Sequence, residues 1–265
     1  MTDRSPYTRL SGRERRSNVP IGSYPIVGIS TTGIDTNTLS LIPNLCSPRS
    51  MLKLKHLSYH PPASDRPILK DLNLELPPQQ LGLIIGASGS GKSTLLEILA
   101  GLANSTSGSV CWRDRVLDSD LRQQLGGLVF QFPERHFCTN SILEELRLGH
   151  PELGTERVEQ ALTSVGLADL SLQVSPHALS GGQQRRLALA VQLIRQPPLL
   201  LLDEPTAGLD WSMRQQLVNL LAQLKQEWTL LVVTHDAGDL LAIADKCWQI
   251  ERGVLIEATS FPVSN

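Results

Sequence analysis

The stretch LGLIIGASGSGKSTLLEILA, Leu81–Ala100, decides how the rest of the chain is read. It opens on a continuous apolar run, as expected for a strand buried on both faces. It then passes through Gly86-Ala87-Ser88-Gly89-Ser90-Gly91-Lys92-Ser93-Thr94, and a helix is expected from about Lys92 to Ala100. Residues 86–93 match G-x-x-x-x-G-K-[ST] in the strand-to-helix setting that this motif requires. Glycines let the backbone wrap a phosphate closely, with N–H groups pointing inward. Lys92 is placed to reach the β- and γ-phosphates of a nucleotide, and the Ser93 hydroxyl to ligate Mg²⁺. A Gly/Ser-rich turn that only caps a helix is the plainer reading. The strand before and the helix after weigh against it.

Other apolar runs end in polar residues. LLLLDE puts Asp203 and Glu204 at a buried strand end, TLLVVTH ends on His235, and LGGLVFQ ends on Gln131. In an open α/β sheet, ligands bind outside the carboxyl ends of the strands. Asp203 suits Mg²⁺, directly or through water, and Glu204 would then polarise the attacking water. Gln131 suits orienting water and contacting Mg²⁺ without adding charge, and His235 suits a γ-phosphate contact. Each residue alone has an ordinary structural explanation. Beside a phosphate loop, the nucleotide reading is the better one. Tyr59, in SYHPP, is positioned to stack on adenine, or else to cover the core as an edge-strand aromatic.

Strand–helix–strand alternation with continuous apolar strands argues for a parallel α/β core. LKLKHLSY and LNLEL alternate like half-buried strands, and 109–131 reads as strand and turn. Residues 141–167 and 180–195 look helical, as does the stretch around 211–226. The expected organisation is a domain over 51–258, a helical subdomain at about 132–180 and a short tail at 259–265. Residues 1–50 hold six Arg, no Lys and three acids, with much Ser and Thr. They read as a disordered extension, a targeting segment, or sequence upstream of a true start at Met51.

The net charge of −2 over 265 residues gives no case for nucleic-acid binding by bulk electrostatics. The four cysteines are scattered without a CxxC pair, so no disulfide framework or zinc ribbon is suggested. No apolar run is long enough to span a bilayer.

A second turn-to-helix passage, HALSGGQQRRLALA (His177–Ala190), also has the look of an anion site. It completes a resemblance. The order Tyr59, GASGSGKST, Gln131, LSGGQ, LLLLDEP, GLD, His235 is similar to the nucleotide-binding domain of ATP-binding cassette (ABC) proteins over about residues 51–258. The resemblance implies a P-loop NTPase core of the ABC type, with a parallel sheet, an antiparallel β subdomain and a helical signature subdomain. It implies ATP and Mg²⁺ as ligands. It also implies a head-to-tail dimer with a second ABC ATPase subunit, each ATP lying between one phosphate loop and the partner's signature loop. By position, the signature is Leu179, Ser180, Gly181, Gly182 and Gln183, with Ser180 and Gly182 meeting the partner's γ-phosphate. Glu204 would be the general base, His235 would assist, and Asp210 would link the two sites.

QFPERHFCTNSILEELRLG (Gln131–Gly149) looks like the energy-coupling factor (ECF) branch, which imports vitamins or cobalt and nickel ions. Gln131, Pro133, Glu134 and Phe137 fit its first segment; Ile142, Glu144, Glu145, Leu146 and Gly149 fit its second. Phe132, His136 and Ser141 depart from the commoner residues. The resemblance implies a peripheral subunit on the cytoplasmic face of a membrane, working with integral membrane subunits. Only 49 positions separate Gln131 from Ser180, which leaves no room for the coiled-coil insert of repair ATPases. A soluble cluster-assembly ATPase and a nucleotide-sensing module without catalysis are the competing readings.

Overall fold

The structure is a computed structural model that describes residues 52–258, apart from 63 and 65. The readings of residues 1–50 and of the tail lie outside the described residues. In chain order the elements are β1 (Leu52–Tyr59), β2 (Leu69–Leu76), β3 (Leu81–Ile85), α1 (Lys92–Leu99), β4 (Ser107–Trp112), β5 (Arg115–Val116), α2 (Ser119–Leu125), β6 (Gly126–Val129), α3 (Ile142–Leu146), α4 (Thr155–Ser164), α5 (Gly181–Arg195), β7 (Leu199–Asp203), α6 (Trp211–Leu224), β8 (Thr229–Thr234), β9 (Lys246–Glu251) and β10 (Val254–Glu257).

One sheet runs β10-β9-β3-β8-β7-β6, with every pair parallel except the closing β9–β10 hairpin. The apolar runs are continuous because both faces of these strands are covered. Leu199, Leu201, Leu231 and Val233 turn to a core shared with α1 and the second sheet. Leu200, Leu202, Leu230 and Val232 turn to a core shared with α4, α5 and α6. Because the strands are parallel, the chain segments leaving β3, β6, β7 and β8 emerge at one edge. That edge carries the site.

The second sheet, β2-β1-β4-β5, is antiparallel. In β1 the pairing register shifts between Leu54 and Leu57, around His56 at φ 53°. The bulge re-phases the alternation, so Leu52, Leu54 and Leu57 all reach the core. The tip of the β9–β10 hairpin is fastened to β2. The Lys70 N–H donates to the Gly253 carbonyl at 2.7 Å, and a Cβ on Gly253 would run into the Ile68 carbonyl.

Two readings are corrected. The stretch 109–131 is not only strand and turn, because α2 lies inside it; the Asp118 side chain caps that helix by accepting the Leu121 N–H at 2.9 Å. Gln131 does not end a strand: β6 stops at Val129 and the chain bends toward the 3₁₀ turn Pro133–Arg135, where proline cannot extend a ladder. The helix expected around 211–226 is present as α6. Between 132 and 180 the described residues form α3, α4 and two 3₁₀ turns, and no strand.

α2 also clamps the helix that follows the phosphate loop. Arg122 is 5% exposed. Its guanidinium donates to the carbonyls of Ile98 and Ala103 and to the Asn104 side chain, and its Nε to the Asp118 carbonyl. A cation at the carbonyl end of α1 satisfies acceptors that the helix cannot satisfy itself. Burial lowers its pKa, partly offset by Asp118. Arg122→Ala is expected to cost about 2–3 kcal/mol of unfolding free energy, since several buried carbonyls lose their donor at once. Urea denaturation reads this out, and an unchanged midpoint would contradict the clamp.

Candidate active site

A cleft of about 1120 Å³ opens at the carboxyl edge of the parallel strands. Ala87, Ser88, Gly89, Ser90, Gly91, Lys92, Ser93 and Thr94 line it, together with Gln131, Glu204 and His235. The remaining lining comes from Ser64, Arg66, Pro67, Ile68, Lys70, Arg252 and Gly253. The loop's shape follows from its glycines. Gly89 and Gly91 take φ 78° and 103°, in the left-handed region. Gly86 is not part of the lining; a Cβ there would come within 2.6 Å of the Ile250 carbonyl.

Lys92 is buried, and its Nζ donates to the carbonyls of Gly86 at 2.7 Å and Ala87 at 3.1 Å. The same Nζ stands 3.6 Å from Glu204 Oε1. The other carboxylate oxygen of Glu204, Oε2, lies 2.8 Å from Thr234 Oγ1, 3.1 Å from the His235 amide N and 2.8 Å from His235 Nδ1. A carboxylate only accepts, so Nδ1 carries the proton of that pair. One oxygen of Glu204 is thus fixed by donors while the other faces the Lys92 cation. Glu204 is also held at φ 47°, a strained conformation for a residue with a side chain.

Asp203 sits behind the loop, 8% exposed. The Ser93 hydroxyl bonds to its carboxylate, while Oδ1 has no hydrogen-bond partner. Burial raises the Asp203 carboxyl above its ordinary range, and Glu204 adds to this; Ser93 and Lys92 oppose it. Glu97, on α1, is raised by burial and by Asp203. The Ser90 hydroxyl is likewise buried without a partner. Among the described residues, no group of three or more His, Cys, Asp or Glu side chains is arranged to hold a metal.

The signature residues lie elsewhere. Ser180 caps α5: its Oγ accepts the Gln183 N–H at 3.3 Å, and the Gln183 side chain accepts the Ser180 N–H at 2.9 Å. Gly181 is exposed, and a Cβ on Gly182 would strike the sulfur of Met213 on α6. Asp210 caps α6 by accepting the Met213 N–H at 2.9 Å. The signature and Asp210 are therefore neighbours through Met213. None of Leu179, Ser180, Gly181, Gly182, Gln183 or Asp210 is among the residues lining the cleft. Tyr59 does not line it either; it packs half-buried against the core beneath the antiparallel sheet, its carbonyl accepting the Ile68 N–H at 2.9 Å.

Sequence reasoning missed Thr234, Arg66, Lys70 and Arg252. Thr234 was open to detection, as a polar residue closing an apolar strand beside a histidine. The three cations carried no pattern.

A family model described as ABC transporter matches residues 69–207. The chain is 43% identical to ABC transporter I family member 11, chloroplastic, of Arabidopsis thaliana over 230 residues, 81% of this chain and 83% of that protein. It is 36% identical to the energy-coupling factor transporter ATP-binding protein EcfA2 of Leuconostoc mesenteroides over 215 residues, 76% of this chain and 75% of that one. Among solved structures, cbiO1 of Clostridium perfringens, described as part of the ABC transporter complex cbiONQ, superposes with a TM-score of 0.70 at 29% identity. That match covers 77% of this chain and 86% of that one.

Proposed function

The chain belongs to the ABC transporter family and is an ABC-type ATPase, and we propose that it is the ATP-hydrolysing subunit of an ECF-type membrane importer. The observation that carries this reading is a division within one chain. The phosphate loop lines the cleft, whereas the signature helix N-terminus does not. The Gly181 and Gly182 N–H groups have no intrahelical acceptor, as in any first turn. They would complete the γ-phosphate site of a second ATPase subunit. ATP then joins two subunits, and hydrolysis separates them.

Within the cleft, backbone N–H groups of residues 87–94 cradle the phosphates and Lys92 meets the terminal ones. The site fits Mg²⁺. Asp203 offers a buried, unpartnered Oδ1 and Ser93 a hydroxyl. One carboxylate, one hydroxyl and phosphate oxygens are the donor set Mg²⁺ takes in such sites, and Gln131 is at hand from the cleft wall. When bound, Mg²⁺ neutralises charge on the phosphate oxygens. Glu204 takes the proton of the attacking water, and His235, tied to Glu204, contacts the γ-phosphate. Tyr59 is kept as a contact for adenine. Among the described residues no helix is long and apolar enough to cross a membrane, so transport is assigned to separate membrane subunits. These would dock on the segment after Gln131 and on 132–180, read as a helical subdomain. The ECF-type relative and the cbiO1 likeness support that choice of branch.

Co-purification tests the assignment. ATP-trapped protein recovered with a small substrate-binding membrane protein and a shared scaffold subunit supports it. Recovery with polytopic exporter subunits sinks it.

Asp203 gives a pH-linked prediction. Its carboxyl is raised by burial. The fold is therefore favoured at acid pH, and that margin is lost as pH rises from the ordinary carboxylate range through the raised value. Asp203→Asn never ionises. It is expected to melt at a higher temperature than the parent near neutral pH, while losing Mg²⁺-dependent turnover. A lower melting temperature would contradict the account of that carboxylate.

A further inference from the structure

The cleft extends past the phosphate loop, and its remaining lining includes three cations. Arg66, Lys70 and Arg252 are among the residues that line it. Among the described residues no aromatic ring lines this part, and the imidazole of His235 is bonded to Glu204. Arg252 stands at the tip of the β9–β10 hairpin at φ 50°, where asparagine or glycine would sit with less strain. Its side chain is 89% exposed, and the exposed Glu251 lies 3.9 Å from its Nε. A surface pair of that kind contributes little to stability, so the ion pair does not account for arginine here. The hairpin tip is nonetheless held in place by the Lys70–Gly253 hydrogen bond and the close packing of Gly253 on Ile68. The positive φ values of Arg252 and Gly253 are those a two-residue hairpin turn requires, and the fastened turn holds Arg252 at the edge of the cleft.

We propose that Arg252 is a nucleotide-contacting residue whose planar guanidinium stacks on the base, with Arg66 and Lys70 lining the ribose end of the same cleft. This rests on the nucleotide reading of the site and adds a base contact from the far C-terminal hairpin. A guanidinium plane stacks on any base, since every base has a π-face. The contact therefore strengthens binding without choosing between purines.

The test is calorimetric titration of the full chain with MgATP, MgGTP and magnesium tripolyphosphate, which has no base. Arg252→Asn suits the left-handed turn, so the hairpin is retained. It is expected to bind MgATP and MgGTP about 3- to 10-fold more weakly, as for loss of a partly desolvated cation–π contact, and tripolyphosphate unchanged. Arg252→Lys, which keeps the charge without the plane, is expected to recover only part of the loss. Unaltered nucleotide affinity in Arg252→Asn overturns the proposal, and so does an equal loss for tripolyphosphate, which would put the arginine on phosphate. If the unsubstituted protein binds none of the three probes, the nucleotide reading itself fails, which is a separate result.

Discussion

Glu204→Gln is expected to bind MgATP as the parent does, to lose turnover by about a thousandfold and to accumulate as a dimer. The magnitude is that of removing a general base, about 4 kcal/mol on the barrier. The geometry says why the loss should be chemical and not structural. Glutamine has the volume of glutamate, and its amide oxygen accepts from Thr234 and His235 as Oε2 does. What it cannot do is take a proton from water. Single-turnover phosphate release, measured beside equilibrium ATP binding, separates the two effects. Normal turnover would remove Glu204 from the base role.

Ser180→Arg is expected to leave ATP binding by the monomer intact and to abolish the ATP-dependent dimer. Ser180 is exposed and does not line its own chain's cleft, so the added bulk and charge reach a partner and not the ATP of its own chain. Losing the cap and adding a cation at a helix N-terminus costs the fold about 1 kcal/mol or somewhat more, which a domain of this size withstands. Ser180→Ala separates the effects: it loses the cap but carries no obstruction, so its dimer should weaken and persist. Sedimentation with and without MgATP reads all three proteins. A Ser180→Arg protein that still dimerises with ATP would place the signature outside the interface.

The parts of the fold legible in the sequence were those where one physical constraint acts on consecutive residues. β3, β7 and β8 are buried on both faces and so read as unbroken apolar runs. The phosphate loop needs its glycines at fixed spacing. The S-x-x-Q capping box of α5 sits in the signature itself. α2 was passed over because its seven residues, SDLRQQL, are mostly polar; only its Asp118 cap announced it. The end of β6 was misplaced because Phe130 and Gln131 continue the apolar look after the ladder has stopped. Thr234 and Arg252 illustrate a deeper limit. The first matters through a side-chain bond to Glu204, thirty residues away in sequence. The second borders the cleft because the last hairpin lies against β2. Neither fact has a local pattern.

The central claim is that a working site takes its phosphate loop and Glu204 from one chain and its signature from another. The most direct test is ATP hydrolysis by an equal mixture of Ser180→Arg and Glu204→Gln proteins, compared with each alone. Each protein alone should be nearly inactive. In a mixed dimer, the Ser180→Arg chain supplies an intact phosphate loop and Glu204, and the Glu204→Gln chain supplies an intact signature. The mixture is predicted to hydrolyse ATP well above both separate rates. A mixture no faster than the average of its components would contradict the shared site.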